Sequence, residues 1–277
     1  MLPLHKDTGW RLFARTVRAR AYPRFVLHLR EHWWMLFDVI LPLVGLSAYV
    51  FVYRAISAPP ELVGFVILGG AMSAYWMNVM WTMANQWFWE KETGNLPLYI
   101  MSPTSLMAVL LGMACGGMFG ATLRAASILL VGSFLFHVQY SISSLPLAAA
   151  AFVLALIALY GMGMMFASLF LLFSREGWHM VQLMQEPVFL LSGTYFPIRG
   201  FNTWVAGAAS LIPLTLGIDA MRQLVFRPEA ARGFLPVPIE LGALASLAVL
   251  FLTLSRLSLT YMEGLAAREG RLTESRS

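Results

Sequence analysis

Charged residues are scarce in this sequence. Only 12% of its 277 residues are charged and 59% are hydrophobic, whereas a soluble domain carries about 25% charged residues. So few charges cannot cover a water-facing surface of ordinary size, which excludes a soluble enzyme. Disorder is excluded too, because disordered chains have low hydrophobicity. The remaining class is an all-α membrane protein that crosses the bilayer several times.

Cysteine, lysine and the common catalytic motifs are also scarce. The single cysteine, Cys115, excludes an internal disulfide and is expected to pack as a small hydrophobe. The only lysines, Lys6 and Lys91, follow no glycine-rich loop, so the chain lacks a phosphate loop for ATP hydrolysis. No HExxH or GxSxG motif occurs, and the five histidines lack metal-ligand spacing. The sequence therefore predicts no catalytic, cofactor or metal site in this chain.

Long apolar runs are what the sequence does have. A transmembrane helix needs about 20 mostly apolar residues, and the runs lie at 33–53, 62–89, 106–136, 145–173, 178–198, 201–218 and 241–260. The run at 201–218 is less apolar and is interrupted by Pro213. It is predicted to be a re-entrant extracellular hairpin after the fifth span, packed against protein or lining a water-filled cavity. The prediction is six spans rather than seven.

Positive charge precedes the first span and follows the last one. Segment 1–32 contains Lys6, Arg11, Arg15, Arg18, Arg20, Arg24 and Arg30, and the tail at 261–277 contains Arg268, Arg271 and Arg276. By the positive-inside rule, the N-terminal segment is cytoplasmic. Six spans within a domain at 33–260 bring the tail to the same side, and place the connection near Arg175 there as well. The positions of the positive charges that make up the net charge of +5 therefore predict the orientation of the chain in the cell inner membrane. We expect no nucleic-acid partner.

Segment 1–32 also has helical periodicity. Apolar side chains that share one face, opposite the arginines, are Leu12, Val17, Phe25, Leu29 and the pair Trp33–Trp34. This pattern predicts an amphipathic interfacial helix that lies on the anionic lipids of the inner leaflet. The alternative is a plain cluster of charges that only orients the chain.

Four charged residues lie inside apolar runs, where charge is costly and is usually paired or functional. Arg256 lies near the end of the last run, and the other three are the candidates for such a role. They are Asp38, Arg124 and Glu186. One interpretation is structural pairing, for example of Arg124 with Glu186; the other is a conduit, as in an ion-coupled carrier. Small residues at four-residue spacing in the third run predict close helix packing, most simply within the chain: Gly112, Gly116 and Gly120.

Two connections carry motifs. The first reads Trp87-Phe88-Trp89-Glu90-Lys91-Glu92-Thr93-Gly94-Asn95-Leu96-Pro97 and continues to Ser102-Pro103. The second reads Ser192-Gly193-Thr194-Tyr195-Phe196-Pro197, with Trp204, Pro213-Leu214-Thr215, Asp219-Ala220 and Arg222 after it. In this order, on a six-span chain of this length, they resemble the coupling-helix and outer segments of type-2 ABC exporter permeases (the ABC-2 type). Ile212 stands where the family has an asparagine.

The resemblance implies that the chain is half of a transporter. A second permease copy, identical or different, and a separate cytoplasmic ATP-binding subunit would complete it, with ATP and magnesium bound on that subunit. The cytoplasmic coupling helix would contact the ATPase through residues in its charged turn and the bend after it: Glu90, Lys91, Glu92, Gly94 and Pro103. An extracellular gate would be shaped by Gly193, Phe196, Pro197, Pro213, Asp219 and Arg222.

Polar side chains on the second and fifth spans are the candidate lining of the transport pathway, or alternatively hydrogen bonds between helices. They are Tyr75, Asn78, Thr82, Asn85, Gln182, Gln185 and Glu186. The apolar surroundings and 17 methionines favour export of a hydrophobic or amphipathic molecule such as a drug, lipid or natural product. Export of a lipid-linked polysaccharide is the alternative in the same family, and an ion-coupled carrier or intramembrane enzyme is the alternative in another class.

Overall fold

The computed structural model describes residues 9–30, 32–173, 176–227 and 233–269. These residues form helices joined by short connections, and no strand occurs among them. The predicted all-α class is therefore confirmed. The predictions that involve Lys6, Arg175, Arg271 and Arg276 lie outside the described residues.

Eleven α-helices are numbered here in chain order. They are α1 Trp10–Arg30, α2 His32–Ala55, α3 Glu61–Met77, α4 Gln86–Glu92, α5 Leu96–Met101, α6 Leu106–Phe136, α7 Leu145–Phe173, α8 Glu176–Leu191, α9 Thr203–Ala209, α10 Pro213–Val225 and α11 Val237–Glu269. A π-helix, Asn78–Ala84, joins α3 to α4, and a 3₁₀ turn, Ile198–Gly200, precedes α9.

Local sequence sets the helix ends. Ser105 begins α6, since its side chain accepts a hydrogen bond from the backbone N–H of Met107 at 3.1 Å. The same helix ends at His137, which takes a left-handed backbone conformation with φ 57°. Pro213 begins α10, because its fixed φ suits the first helical turn.

Within the described ranges, five helices or helix runs are long and apolar enough to cross a membrane: Leu36–Ala55, Glu61–Glu92, Leu106–Phe136, Leu145–Leu169 and Val237–Met262. The helices α9 and α10 meet at 108°, and counting this bent pair as one span gives six. The predicted fifth span at 178–198 is helical only as far as Leu191. The 16 residues of α8 rise about 24 Å, which is less than the roughly 30 Å of a hydrocarbon core.

The second long helix lies at the centre of the bundle. In the apolar part of Glu61–Glu92, 78% of the residues are buried, against 22% in Leu36–Ala55 and 17% in Val237–Met262. A helix that is hydrophobic on all sides belongs in a protein interior, and α3 packs on α2, α6 and α10. The helices α2 and α11 are peripheral, and much of their apolar surface faces outward.

The glycine row of α6 is the surface against which α1 packs. A Cβ at Gly112 would lie 2.6 Å from the carbonyl oxygen of Val17, and one at Gly116 would lie 3.1 Å from that of Ala21. Farther along, a Cβ at Gly120 would overlap the ring of His28. Contacts advance in the same direction on both helices, so α1 runs alongside the first half of α6. The predicted close packing within the chain is confirmed.

We expect Gly112→Ala to loosen α1. The added methyl group would lie 2.6 Å from a backbone oxygen of α1, and overpacking of this kind costs about 1–3 kcal/mol. The matched control is Gly45→Ala in α2, where a Cβ would have nothing within 4 Å. The measurement is thermal unfolding in detergent together with trypsin cleavage at the α1 arginines; equal melting and cleavage in the two variants would contradict this packing.

Candidate functional site

The contact between α1 and α4, called here the inner junction, consists of Arg20, Arg24, Gln86 and Glu90. Glu90 Oε1 accepts from Arg20 Nη2 at 2.6 Å and from Gln86 Nε2 at 2.8 Å. Arg24 Nη2 donates to Gln86 Oε1. The carboxylate side chain is only 9% exposed and that of Arg20 is 30% exposed, so the inner junction is a partly buried ion pair extended by an amide.

Positive charge exceeds negative charge at the inner junction. Two guanidinium groups meet one carboxylate, and the guanidinium of Arg20 also lies 4.7 Å from the centre of the Tyr99 ring. Burial lowers the pKa of Arg24, and the neighbouring Arg20 lowers it further. Burial likewise raises the pKa of Tyr99. The single carboxylate of Glu90 therefore offsets the repulsion between two arginines.

Some of the predicted coupling residues are buried in the protein and others are exposed. Glu90 is buried in the inner junction and Lys91 is half-buried, whereas Glu92 is exposed. Gly94 follows α4 with φ +73° and is exposed, as is Pro103. Of the two glutamates, Glu90 and Glu92, only Glu92 is exposed, and it remains the predicted contact with an ATPase.

A π-helix interrupts the second span just before the inner junction. Asn78 Oδ1 accepts from the Tyr160 hydroxyl at 2.9 Å, and Asn78 Nδ2 donates to Thr82 Oγ1 at 2.9 Å. Asn85 is fully buried at the C-terminal end of the π-helix and donates to the carbonyl of Met80 at 3.4 Å. π-helical turns are rare and are frequently found at functional sites. No proline or glycine signals this one in the sequence, and it was not predicted.

A cavity of about 580 Å³, the inner cavity, opens between α1, α2, the π-helix, α4 and α6. Its polar lining comprises Arg24, His28, Asp38, Asn78, Thr82, Gln86 and Arg124. Small-molecule sites commonly enclose about 300–1,000 Å³. The inner cavity is therefore large enough for a drug-sized molecule or for part of a lipid.

Of the predicted pathway residues, Asn78 and Thr82 line the inner cavity. Tyr75 is buried among helices and donates to Thr122 Oγ1 at 3.1 Å. Gln185 of α8 accepts from the indole N–H of Trp81, a cavity residue, at 2.7 Å. The remaining members do not line the cavity: Asn85 is buried, and Gln182 and Glu186 are exposed on α8.

The intramembrane charges pair differently from the predicted example. Arg124 of α6 forms an ion pair with Asp38 of α2, through Nη2 and Oδ2. Glu186 lies on a different helix, where Gln185 Nε2 approaches its carboxylate at 3.5 Å. The pairing of Arg124 with Glu186 is therefore wrong, because α2 rather than α8 reaches the middle of α6. Both members of the pair that forms also line the inner cavity.

At the other end of α3, a second cluster centres on Arg222 of α10 and is called here the outer junction. Its Nη2 donates to the carbonyl oxygens of Phe65 at 2.9 Å and Thr194 at 3.2 Å, and the guanidinium lies 5.1 Å from the Phe65 ring. Only 2% of Arg222 is exposed. Both accepting carbonyls belong to elements far apart in sequence, so this one side chain joins α10, α3 and the turn after α8.

Aromatic rings cover the same turn. Tyr195 stacks on Tyr49 with ring centres 4.0 Å apart, and its carbonyl accepts from the Tyr53 hydroxyl at 3.0 Å. Phe196 meets both tyrosines of α2 edge-on. Gly193 opens the turn with φ +77°. The predicted gate residues Gly193, Phe196, Pro213 and Arg222 thus belong to adjoining elements, and Pro197 stands just before the 3₁₀ turn.

The predicted gate residue Asp219 interacts with a second buried carboxylate, Glu240, which was not predicted. Asp219 Oδ2 accepts from the backbone N–H of Phe234 at 2.7 Å, and Gln223 Nε2 donates to Glu240 Oε2 at 3.0 Å. Glu240 is fully buried. The signal in the sequence is the single carboxylate directly before the apolar run at 241–260. In the residues that the structure describes, no group of three His, Cys, Asp or Glu side chains could hold a metal ion.

The region of the chain that matches known proteins includes the residues of both junctions. The sequence profile described as ABC-2 type transporter matches residues 17–226, from α1 to the end of α10. The chain belongs to the ABC-2 type transporter family.

Two curated relatives of this ABC-2 chain are described as probable multidrug ABC transporter permease YbhR, one from Escherichia coli strain K12 and one from Escherichia coli O157:H7. Each is 24% identical over 138 residues, which is 50% of this chain and 37% of the relative. The matched region is therefore well under two thirds of the relatives' length.

Family membership settles the general role. ABC-2 domains are the membrane-spanning subunits of ABC transporters and are not the ATPase, and they normally work with a separate ATP-binding subunit. The chain is accordingly a multi-pass membrane protein of this family. The resemblance deduced from the two connections is confirmed.

We expect Glu90→Gln to destabilise the inner junction. The change keeps the shape but removes the only carboxylate bonded to Arg20 in the inner junction, and losing a hydrogen bond to a charged group costs about 1.5–3 kcal/mol. Glu92→Gln, two residues along and exposed, is the control. Thermal unfolding in detergent measures both, and the exchange variant Arg20→Glu with Glu90→Arg should recover part of the loss. Equal stability of the two single variants would contradict the ion pair.

A second pair of variants examines the outer turn. Gly193→Ala places a side chain at φ +77° with its Cβ 2.7 Å from Ile198 Cγ2, and left-handed backbone alone costs about 1–2 kcal/mol. Gly200→Ala adds the same methyl group where nothing lies within 4 Å. We expect only Gly193→Ala to lower the unfolding temperature. A loss of equal size at Gly200 would show that the turn is not the sensitive element.

Proposed function

We propose that this chain is the transmembrane permease subunit of an ATP-driven exporter that moves a hydrophobic or amphipathic molecule outward across the cell inner membrane. The match of the ABC-2 profile over 17–226 carries this proposal. Two relatives described as multidrug permeases support the cargo class, and so does a cavity with both charged and aromatic lining. Export of a lipid-linked polysaccharide is the second candidate, favoured by the tryptophans Trp81 and Trp89 in that cavity, since indole rings can stack on sugars.

The proposed arrangement has six spans with both termini in the cytoplasm. The short helix α8 is counted as the fifth span, since a bilayer can thin around a short hydrophobic helix. The cations of α1 support this orientation, because positively charged segments stay inside. In this arrangement α1 runs along the cytoplasmic half of α6, and the bent pair α9 and α10 is the extracellular re-entrant hairpin. The inner junction then faces the cytoplasm and the outer junction faces the opposite side. A second permease copy completes the pathway, with lipid around both.

The proposed coupling runs from a separate ATP-binding subunit through α4. ATP and magnesium bind on that subunit, and its closure moves the exposed turn at Glu92, Gly94 and Pro103. Glu90 transmits the movement to α1, because it is bonded to Arg20. The second span continues from α4 through the π-helix to α3. Movement of α4 therefore reaches the inner cavity and, along α3, the carbonyl of Phe65 held by Arg222.

The experiment reverses the charge of the exposed carboxylate. Glu92→Arg is expected to reduce co-purification of the ATP-binding subunit at least tenfold and to reduce export with it, because a cation replaces the proposed contact. Glu61→Arg, at the opposite end of the second span, is the control and is expected to retain both. Co-expressed, gently extracted complexes provide the measurement. If neither the parent chain nor the control retains an ATP-binding subunit, the exporter proposal is wrong.

A further inference from the structure

The inner cavity has a chemical character that narrows its ligand. Two guanidinium groups, from Arg24 and Arg124, line it together with the imidazole of His28, whereas one lining carboxylate, Asp38, is present among the described residues. Asp38 is engaged by Arg124. The charge of Arg24 is therefore not matched by any carboxylate that lines the cavity.

The partner of Arg24 is neutral. Its guanidinium donates to the side-chain oxygen of Gln86, while the nearby carboxylate of Glu90 accepts from Arg20 and from Gln86. Burial and the neighbouring Arg20 disfavour the charged form of this guanidinium, and Glu90 offsets that cost only in part. An anion placed beside it would relieve that cost, since an opposite charge within about 4–6 Å stabilises a buried cation.

The remaining walls are aromatic and apolar. Trp81, Trp89, Met77 and Leu27 also line the cavity. Trp81 is held in place by Gln185 of α8 through a 2.7 Å hydrogen bond. Two polar lining residues, Asn78 and Thr82, are bonded to each other. The cavity therefore combines cationic side chains with aromatic and apolar ones.

We infer that the inner cavity binds an amphipathic anion, whose phosphate or carboxylate head lies beside Arg24 and Arg124 and whose apolar part covers Trp81 and Trp89. Arginine matches such heads with paired donors, and tryptophan supplies apolar contact area. That this anion is the exported cargo rests on the proposed function; that the site binds it does not. The Asp38–Arg124 pair sets the strength of binding, because Asp38 competes with the ligand for Arg124.

The test uses the full chain in phosphatidylcholine nanodiscs and dodecyl phosphate as the probe, with empty nanodiscs subtracted. Saturable binding is expected. Arg24→Gln and Arg124→Gln should each raise the Kd at least tenfold, whereas Asp38→Asn should lower it several-fold because Arg124 is released. Arg54→Gln, at the far end of α2 beside Phe136, should leave the Kd unchanged. A gain of affinity in Asp38→Asn separates a binding role from mere damage to the fold.

Other outcomes overturn the inference. They are the absence of saturable binding, an unchanged Kd in both arginine variants, or equal binding of dodecyltrimethylammonium. Competition by inorganic phosphate at the same concentration would reduce the site to a free-phosphate site and would also overturn it. Replacing a third of the phosphatidylcholine with phosphatidylglycerol distinguishes an anionic lipid of the bilayer from an exported cargo molecule as the natural ligand. Competition there assigns the site to a bilayer lipid and overturns the cargo assignment; no competition supports cargo.

The result is independent of the coupling experiment. If dodecyl phosphate binds as expected but no ATP-binding subunit co-purifies, the site stands and the exporter proposal fails. If the ATP-binding subunit co-purifies but the probe does not bind, the exporter proposal stands and this inference fails.

Discussion

The inner half of the molecule depends on the close approach of α1 to α6. Glycine at three successive turns of α6 lets the backbone of α1 come within contact distance, as small residues do at helix interfaces in membranes. That approach brings Arg20 to Glu90 and Arg24 to Gln86, and it forms one wall of the inner cavity. A larger side chain in the glycine row would therefore disturb the ion pair, the amide contact and the cavity together.

The outer half is held together by the hydrogen bonds of one buried arginine. Arg222 is almost fully buried, and its guanidinium donates to two backbone carbonyls and lies beside an aromatic ring. A guanidinium can satisfy several acceptors at once because its donors form a rigid fork. Carbonyls in the second span and in the turn after α8 are thereby tied to α10. The central helix α3 is the element shared by the two halves, which fits its being the most deeply buried of the long helices.

Much of this architecture was readable from the sequence. Shortage of charge predicted the membrane class, glycine spacing predicted the packing surface in α6, and the motifs around Glu92 and Phe196 predicted the family. Features that depend on which helices become neighbours were not readable. Glu90 and Glu92 are equivalent in sequence, and only the position of α1 makes one buried and the other exposed. The partner of Arg124 was misassigned for the same reason, since nothing local places Asp38 beside it.

The π-helix changes how positions along the second span relate to one another. Its hydrogen bonds close wider turns than those of an α-helix, so residues after Ala84 are rotated from where a continuous repeat of 3.6 residues would put them. A helical wheel drawn through the whole segment groups Asn78, Thr82 and Asn85 on one polar stripe, whereas the first two line the cavity and the third is buried. The residues before the widened turn and the residues after it therefore point in different directions around the helix axis. The angle between these two directions is set by the backbone of the π-helix and not by the spacing of side chains in the sequence.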